Sequence, residues 1–238
     1  MATYQRGEAS IAYEIAGEGF PVLLIAPGGM KSALELWNNM PWNPLGALAT
    51  SYQLIAMDQR NAGDSVAPIT AGDSWDTYTS DQLGLMDHLG IDRFHVIGMC
   101  IGGPYVMGLA GAAPDRVASA VMLQPIGLDD NRQAFYDMFD GWATEVAAAH
   151  PEADEAVFAS FRSNMYDGDF MFNTSRDDVA ACQTPILLFM GDDLYHPQST
   201  SREIASLGPD VTFVERWKDD DVLGDTDATI QAFLASHS

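Results

Sequence analysis

Basic residues are scarce in this chain. Its 238 residues hold 11 lysines and arginines against 34 aspartates and glutamates, a formal net charge of −23. Lys31 and Lys218 are the only lysines. A surface of that sign repels phosphate backbones and anionic membranes, which argues against nucleic acid or a lipid surface as partner. Cysteine is equally sparse. Cys100 and Cys182 make no disulfide framework, and Cys182, just ahead of the apolar run Pro185 to Met190, reads as a small buried hydrophobe. No apolar run approaches the length that crosses a bilayer, and residues 1–6 have no apolar signal core, so the expectation is a soluble cytoplasmic protein. A clustered metal-ligand pattern, a nucleotide-binding glycine pattern and a cofactor lysine are all missing, so no cofactor is expected. The sequence does not speak to the oligomeric state.

What is present is strand and helix in alternation. Hydrophobic residues make up 47% of the chain, enough for one large core at this length. Ser10 to Ala16 alternates as an early antiparallel ribbon would. Val22 to Ala26 is a continuous apolar run, as a strand buried on both faces should be. Tyr52 to Met57, Arg93 to Ile97, Val117 to Leu123, Pro185 to Met190 and Val211 to Val214 are further strands. Helical patterns fall at Leu34 to Thr50 (broken by Pro41 and Pro44), Trp75 to Leu89, Pro104 to Ala113 and Thr226 to Ser236. Alternation of this kind predicts a single α/β domain over 1–238, a mostly parallel sheet with helices on both faces. Residues 128–177 read as helices with no strand, and they are rich in aromatics.

The stretch Gly98-Met99-Cys100-Ile101-Gly102-Gly103 carries the chemistry. It lies between an apolar strand and a helix, and it has the form of a nucleophile elbow, G-x-nucleophile-x-G, with cysteine where serine is usual. The flanking glycines remove side chains where strand and helix nearly touch. Such a turn exposes the thiol at the top of the sheet and aims the Ile101 N–H at the reacting centre. A thiolate is a strong nucleophile even when little of it is present.

With this elbow, three more segments in order resemble the α/β-hydrolase fold family over nearly the whole chain. Pro27-Gly28-Gly29-Met30 stands where that family has its oxyanion loop. Asp58-Gln59-Arg60-Asn61-Ala62-Gly63-Asp64-Ser65 is similar to its D-x-R-G-x-G-x-S turn, with Asn61 in place of a glycine and tolerant of left-handed backbone. Gly191-Asp192-Asp193-Leu194-Tyr195-His196-Pro197 follows a strand where the family places its acid. The resemblance implies Ile101 and Gly29 as oxyanion donors, with Gly28 or Met30 if the register differs. It implies Asp193 as the acid, with Asp192 as the alternative and Asp129 or Asp130 as a more distant one. It also implies that residues 128–177 form a helical lid over Cys100, with Met30, Tyr136, Phe139 and Trp142 lining a pocket for a small-molecule substrate of apolar or aromatic character.

The departure is the histidine. The family carries it after the last strand, but here that loop is Glu215-Arg216-Trp217-Lys218-Asp219-Asp220-Asp221-Val222. Of the five histidines, His88 and His95 fall inside predicted elements, His150 in the insertion and His237 in the tail. Only His196 stands at the catalytic edge of the sheet, which makes it the candidate base. Lys218 is the alternative, against a solvated lysine held protonated by Asp219, Asp220 and Asp221. The expected activity is cofactor-independent hydrolysis or acyl transfer at an ester, thioester or lactone through Cys100. The alternatives are a lyase or isomerase on the same fold, or a catalytically silent ligand-binding protein.

Overall fold

A computed structural model describes all residues, 1–238. Eight strands form one sheet in the order β1-β2-β4-β3-β5-β6-β7-β8. They are β1 (Ala2–Arg6), β2 (Ala9–Ala16), β3 (Phe20–Ile25), β4 (Tyr52–Met57), β5 (Phe94–Met99), β6 (Val117–Leu123), β7 (Ile186–Phe189) and β8 (Val211–Val214). β1 pairs antiparallel with β2 and β2 antiparallel with β4; every later pair is parallel. The four strands β3 to β6 in the middle carry the continuous apolar runs, and β5 and β6 are buried at every position.

The helices are α1 (Pro44–Leu48), α2 (Trp75–His88), α3 (Gly102–Ala112), α4 (Arg132–Val146), α5 (Glu155–Tyr166), α6 (Arg176–Ala181), α7 (Gln198–Leu207) and α8 (Leu223–Ala235). The predicted helix over Leu34 to Thr50 is instead a 3-10 turn at Leu34–Asn39 followed by the five-residue α1, since prolines at 41 and 44 cannot continue a helix from before them. Two apolar layers enclose the sheet, one built on Leu23, Tyr105 and Phe139 and the other on Leu24, Trp37 and Trp217. No helix is long and apolar enough to cross a membrane.

The site follows from the strand order. From β3 the chain crosses to β4 on one side, and from β5 it crosses to β6 on the other. The loops leaving β3 and β5 therefore diverge, and a crevice opens between them at the carboxyl ends of the strands. The first loop is Ala26–Gly29 and the second begins at Cys100.

The turn at residues 58–65 acts as a clamp on this edge. Asp58 Oδ1 accepts from the Leu34 N–H at 2.8 Å, and Gln59 N–H donates to the Ser32 carbonyl at 2.9 Å. Arg60 forms a buried pair with Asp81, Nε to Oδ2 at 2.8 Å and Nη2 to Oδ1 at 2.9 Å. Asn61 takes φ of 57°, the left-handed conformation that its substitution for glycine anticipated.

The elbow rests on close contact between β5 and α3. A Cβ on Gly98 would stand 2.5 Å from the Gly102 carbonyl oxygen, which is backbone and cannot swing away. Gly98→Ala is expected to cost about 1–3 kcal/mol, the usual range for overpacking. Urea denaturation followed by circular dichroism checks this; Gly111→Ala in α3, where a Cβ meets nothing within 4 Å, is the control that should not destabilise.

Candidate active site

Cys100 sits at φ of 61°, a conformation that costs a non-glycine residue about 1–3 kcal/mol. Its backbone is held from three sides. Cys100 N–H donates to the Leu123 carbonyl at 3.0 Å, and its carbonyl accepts from Gly103 at 3.0 Å and from Ile126 at 3.1 Å. The thiol faces a cavity of about 200 Å³ whose walls include Ile126, Phe135, Met138 and Tyr166. The Ile101 N–H, first of the free donors at the start of α3, lies beside the sulfur.

The second N–H beside the sulfur belongs to Gly28, one residue before the expected Gly29. Gly28 and Gly29 take φ of 120° and 59°, so the loop makes two consecutive left-handed turns that sequence counting cannot phase. Gly29 remains on the cavity wall, packed so tightly under Met138 that a Cβ would meet the Met138 sulfur at 2.5 Å.

His196 comes from the loop after β7 and lies on the cavity wall, 8% exposed. Its Nδ1 donates to Asp193, 2.7 Å to Oδ1 and 2.8 Å to Oδ2. Asp193 Oδ1 also accepts from the N–H groups of Tyr195 at 3.0 Å and His196 at 3.1 Å, so both ends of this short turn are fixed. With Nδ1 committed to the carboxylate, Nε2 carries the free lone pair. Nε2 is buried with no aligned hydrogen bond, and the polar group it faces is the Cys100 thiol. Gly191 makes this approach practicable, because a Cβ there would collide with the His196 carbonyl at 2.4 Å. Asn131 pins the same loop, donating to the Leu194 carbonyl at 2.6 Å and the Gly127 carbonyl at 3.0 Å.

The charges of these three groups support one another. Burial alone would raise the Cys100 thiol, but His196 and the N–H groups of Gly28 and Ile101 reverse this and leave its pKa lowered. Burial alone would lower His196; the sulfur and Asp193 reverse that and leave it raised. Asp193 is lowered despite its own partial burial, chiefly by His196.

The loop after β8 is occupied differently. Trp217, 1% exposed, donates from Nε1 to the Met190 carbonyl at 2.9 Å and packs on Phe189. Lys218 donates to Gln124 Oε1 at 3.1 Å and pairs with Asp192, so Asp192 and not the 219–221 acids is its partner. Arg216 takes Asp219 and Asp221. Asp129 accepts from Ser199 at 2.8 Å, away from the sulfur.

Four residues expected on the pocket do not reach it. Tyr136 points outward, donating to Asp167 beneath the Arg162 guanidinium. Phe139 is fully buried among Trp142, Phe161 and Tyr166. Met30 lies behind Tyr166, whose hydroxyl donates weakly to its sulfur at 3.6 Å. Trp142 lines a separate cavity. The aromatic content of the segment was legible, but the face of α4 was not. Phe135 and Met138 line the pocket, with Tyr195 from the base loop. Cys182, expected to be buried, is partly exposed where α6 ends. No group of three or more His, Cys, Asp or Glu side chains is placed to hold a metal ion.

A family model for the alpha/beta hydrolase fold matches residues 21–206. The chain belongs to the α/β-hydrolase fold family. Among curated relatives it is 34% identical over 119 residues to a dihydrolipoyllysine-residue acetyltransferase component of an acetoin cleaving system from Pseudomonas putida, covering 50% of this chain and 30% of that one. It is 36% identical over 117 residues to a putative carbamate hydrolase from Azorhizobium caulinodans, covering 49% and 42%. The chain thus spans less than half the length of these two relatives. A meta-cleavage product hydrolase from Pseudomonas fluorescens shares the fold with a TM-score of 0.73 at 20% identity, covering 100% of this chain and 98% of that one.

A lowered thiol pKa keeps thiolate available at pH values where an ordinary cysteine is protonated, and loses it as pH falls through the lowered value. The pH profile of Cys100 alkylation by iodoacetamide should therefore be displaced to below the ordinary thiol range. His196→Ala removes the largest opposing influence on burial and should move that profile up. A profile unmoved by the substitution would mean that the imidazole does not act on the sulfur.

Proposed function

We propose that the protein is a cofactor-independent hydrolase or acyltransferase acting on ester, thioester or lactone carbonyls, with Cys100 as nucleophile, His196 as base and Asp193 as the acid that orients it. The observation that carries this reading is the Asp193 carboxylate bonded to His196 Nδ1, while His196 Nε2, free of any protein hydrogen bond, faces the Cys100 thiol beside the Gly28 and Ile101 N–H groups. The matched relative named as a carbamate hydrolase is consistent with hydrolysis at a carbonyl.

In the first half-reaction the thiol proton passes to His196 Nε2 as the sulfur attacks the carbonyl carbon. The carbonyl π pair moves to oxygen, where Gly28 and Ile101 donate to it. Collapse of this intermediate breaks the bond to the leaving group, which takes the proton back from His196. In the second half-reaction His196 accepts a proton from water, or from an acceptor hydroxyl, as it attacks the thioester. The thiolate leaves and regains the proton. Asp193 keeps Nδ1 protonated throughout and stabilises the imidazolium. The non-hydrolytic and binding-only alternatives drew on the missing histidine of the last loop. A base supplied from the loop after β7 removes that ground.

The pocket suggests the acyl group. About 200 Å³ enclosed by Ile126, Phe135, Met138 and Tyr166 suits a short aliphatic or single-ring acyl chain. The segment 128–177, which brings α4 over the sulfur, is the proposed lid.

Turnover of p-nitrophenyl butyrate should exceed that of the palmitate ester by about tenfold or more in kcat/KM. Cys100→Ala should abolish it, and His196→Ala should lower kcat by about a hundredfold or more. Rapid quenching followed by intact-mass measurement should detect an acyl group on the wild type that is absent from Cys100→Ala. A fully active Cys100→Ala variant would overturn the covalent mechanism.

A further inference from the structure

The two glycines of the loop after β3 are each covered by one side chain. A Cβ on Gly28 would meet Leu36 Cδ1 at 2.5 Å. A Cβ on Gly29 would meet Met138 Sδ at 2.5 Å and Cε at 3.1 Å. Leu36 belongs to the 3-10 segment that follows the loop, whereas Met138 comes from α4. Met138 is half-buried and also lines the cavity over Cys100.

The loop's own hydrogen bonds fix its carbonyls and not its N–H groups. Lys31 N–H donates to the Gly28 carbonyl at 3.1 Å, Ser32 N–H to the Gly29 carbonyl at 3.2 Å, and the Ser32 hydroxyl to the Ala26 carbonyl at 2.6 Å. Neither the Gly28 nor the Gly29 N–H donates to a backbone carbonyl. Adjacent glycines have a wide choice of φ and ψ. Contacts from outside the pair must therefore help to select the φ values of 120° and 59° that set the Gly28 N–H beside the sulfur. Helix α4 has a second link to this segment, the Lys31–Glu145 ion pair at 2.5 Å, but both side chains are more than half exposed and such pairs contribute little. The thioether on Gly29 is the contact left to do it from the α4 side.

We propose that Met138 is a positioning residue: its thioether, seated on Gly29, holds the glycine pair in the conformation that presents the Gly28 N–H to the oxyanion, so that α4 and the oxyanion hole assemble together. This role rests on the hydrolase reading, in which Gly28 is an oxyanion donor. It accounts for glycine at position 29, whose N–H is not the donor beside the sulfur: the missing Cβ is the seat for Met138. An unbranched thioether suits a seat of this shape, because it can follow an irregular surface.

The test compares the full-length wild type with Met138→Ala and Met138→Leu, each checked for folding by circular dichroism. With p-nitrophenyl acetate and butyrate, Met138→Ala should lower kcat by about tenfold or more for both esters alike, with KM little changed; slight misplacement of a reacting group can cost about a hundredfold. Met138→Leu, which conserves volume, should restore most of the loss. The second readout needs no turnover. Truncation of Met138 has two opposite effects on the Cys100 thiol. Admitting water relieves burial and moves the pH profile of iodoacetamide alkylation down, whereas loss of the Gly28 N–H moves it up. His196 and Tyr166, the other titratable groups facing the sulfur, stay in place. The expected result is an upward displacement in Met138→Ala that is absent from Met138→Leu. The proposal is overturned if the profile stays or moves down, if kcat for the acetate is unchanged, or if the butyrate alone suffers through KM, which would make Met138 only a wall of the acyl pocket. A wild type that hydrolyses neither ester would defeat the hydrolase reading, and the alkylation profile would still decide whether Met138 orients the loop.

Discussion

The proposed site depends on one contact between backbones, the place where β5 meets α3. Cys100 stays in a left-handed conformation because Leu123, Gly103 and Ile126 each take one of its backbone bonds, because Gly98 lets β5 approach α3, and because Gly102 lets α3 approach Ile25 of β3. Gly103 has the same role towards the next loop, since a Cβ there would meet the Pro125 Cβ at 2.4 Å. The turn both raises the thiol above the sheet and releases the Ile101 N–H towards it. A looser turn would misplace the Cys100 thiol and the Ile101 N–H together.

The proposed base, His196, comes from the loop after β7, and the loop after β8 is filled by other contacts. Trp217 is driven under the sheet edge, where its ring meets Phe189 and its N–H meets the Met190 carbonyl. Lys218 is drawn to Gln124 and Asp192. These contacts tie the loops after β6, β7 and β8 into one edge. They also separate two adjacent acids: Asp192 neutralises the lysine, and Asp193 is left to face His196. Proton acceptor and carboxylate therefore lie three residues apart, on one turn, instead of on two loops that must be brought into register. Pro197 starts α7 immediately afterwards, so the helix fixes the exit of that turn.

The elements legible in the sequence are those whose signal is local. Continuous apolar runs marked β3 to β7, and the elbow glycines marked the turn, because burial on both faces and close backbone approach each restrict residue type at the position itself. His196 was reachable by elimination, since the other four histidines fall where the sheet edge is not. His95, for example, is bonded to Ser119 at 2.8 Å and to Ser238 at 3.1 Å, and burial lowers its pKa to about 4. What was not legible depends on phase. The N–H beside the sulfur belongs to Gly28, the register alternative to Gly29, because two consecutive left-handed glycines alter which N–H faces inward. The pocket residues of α4 shifted by one position, from Tyr136 to Phe135 and from Phe139 to Met138. An aromatic helix has apolar residues on more than one face, and only the partner surface decides which face is inward. Gly191 is the signal that was available and unused: a glycine opening the acid loop marks a backbone that something must approach closely, and here it is His196.

The electrostatics of the site set the remaining condition. The protein carries a large negative charge, which by itself resists forming another anion at Cys100. Burial resists it as well, and both influences act against the thiolate. What opposes them is local: one imidazole and two N–H groups beside the sulfur. Fixed donors beside a buried group outweigh distant surface charges, because the latter are screened over about 8–10 Å of salt solution. The abundance of surface acid and the activation of a buried thiol are thus compatible. The surface charge is felt at a distance by what approaches, while the protonation of Cys100 is decided by three residues. The same reasoning explains why Asp193 must be hydrogen-bonded from two backbone N–H groups as well as from His196. These bonds and the imidazole hold the Asp193 carboxyl below its ordinary range, and the carboxylate in turn fixes Nδ1 as the donor and leaves Nε2 to face the sulfur.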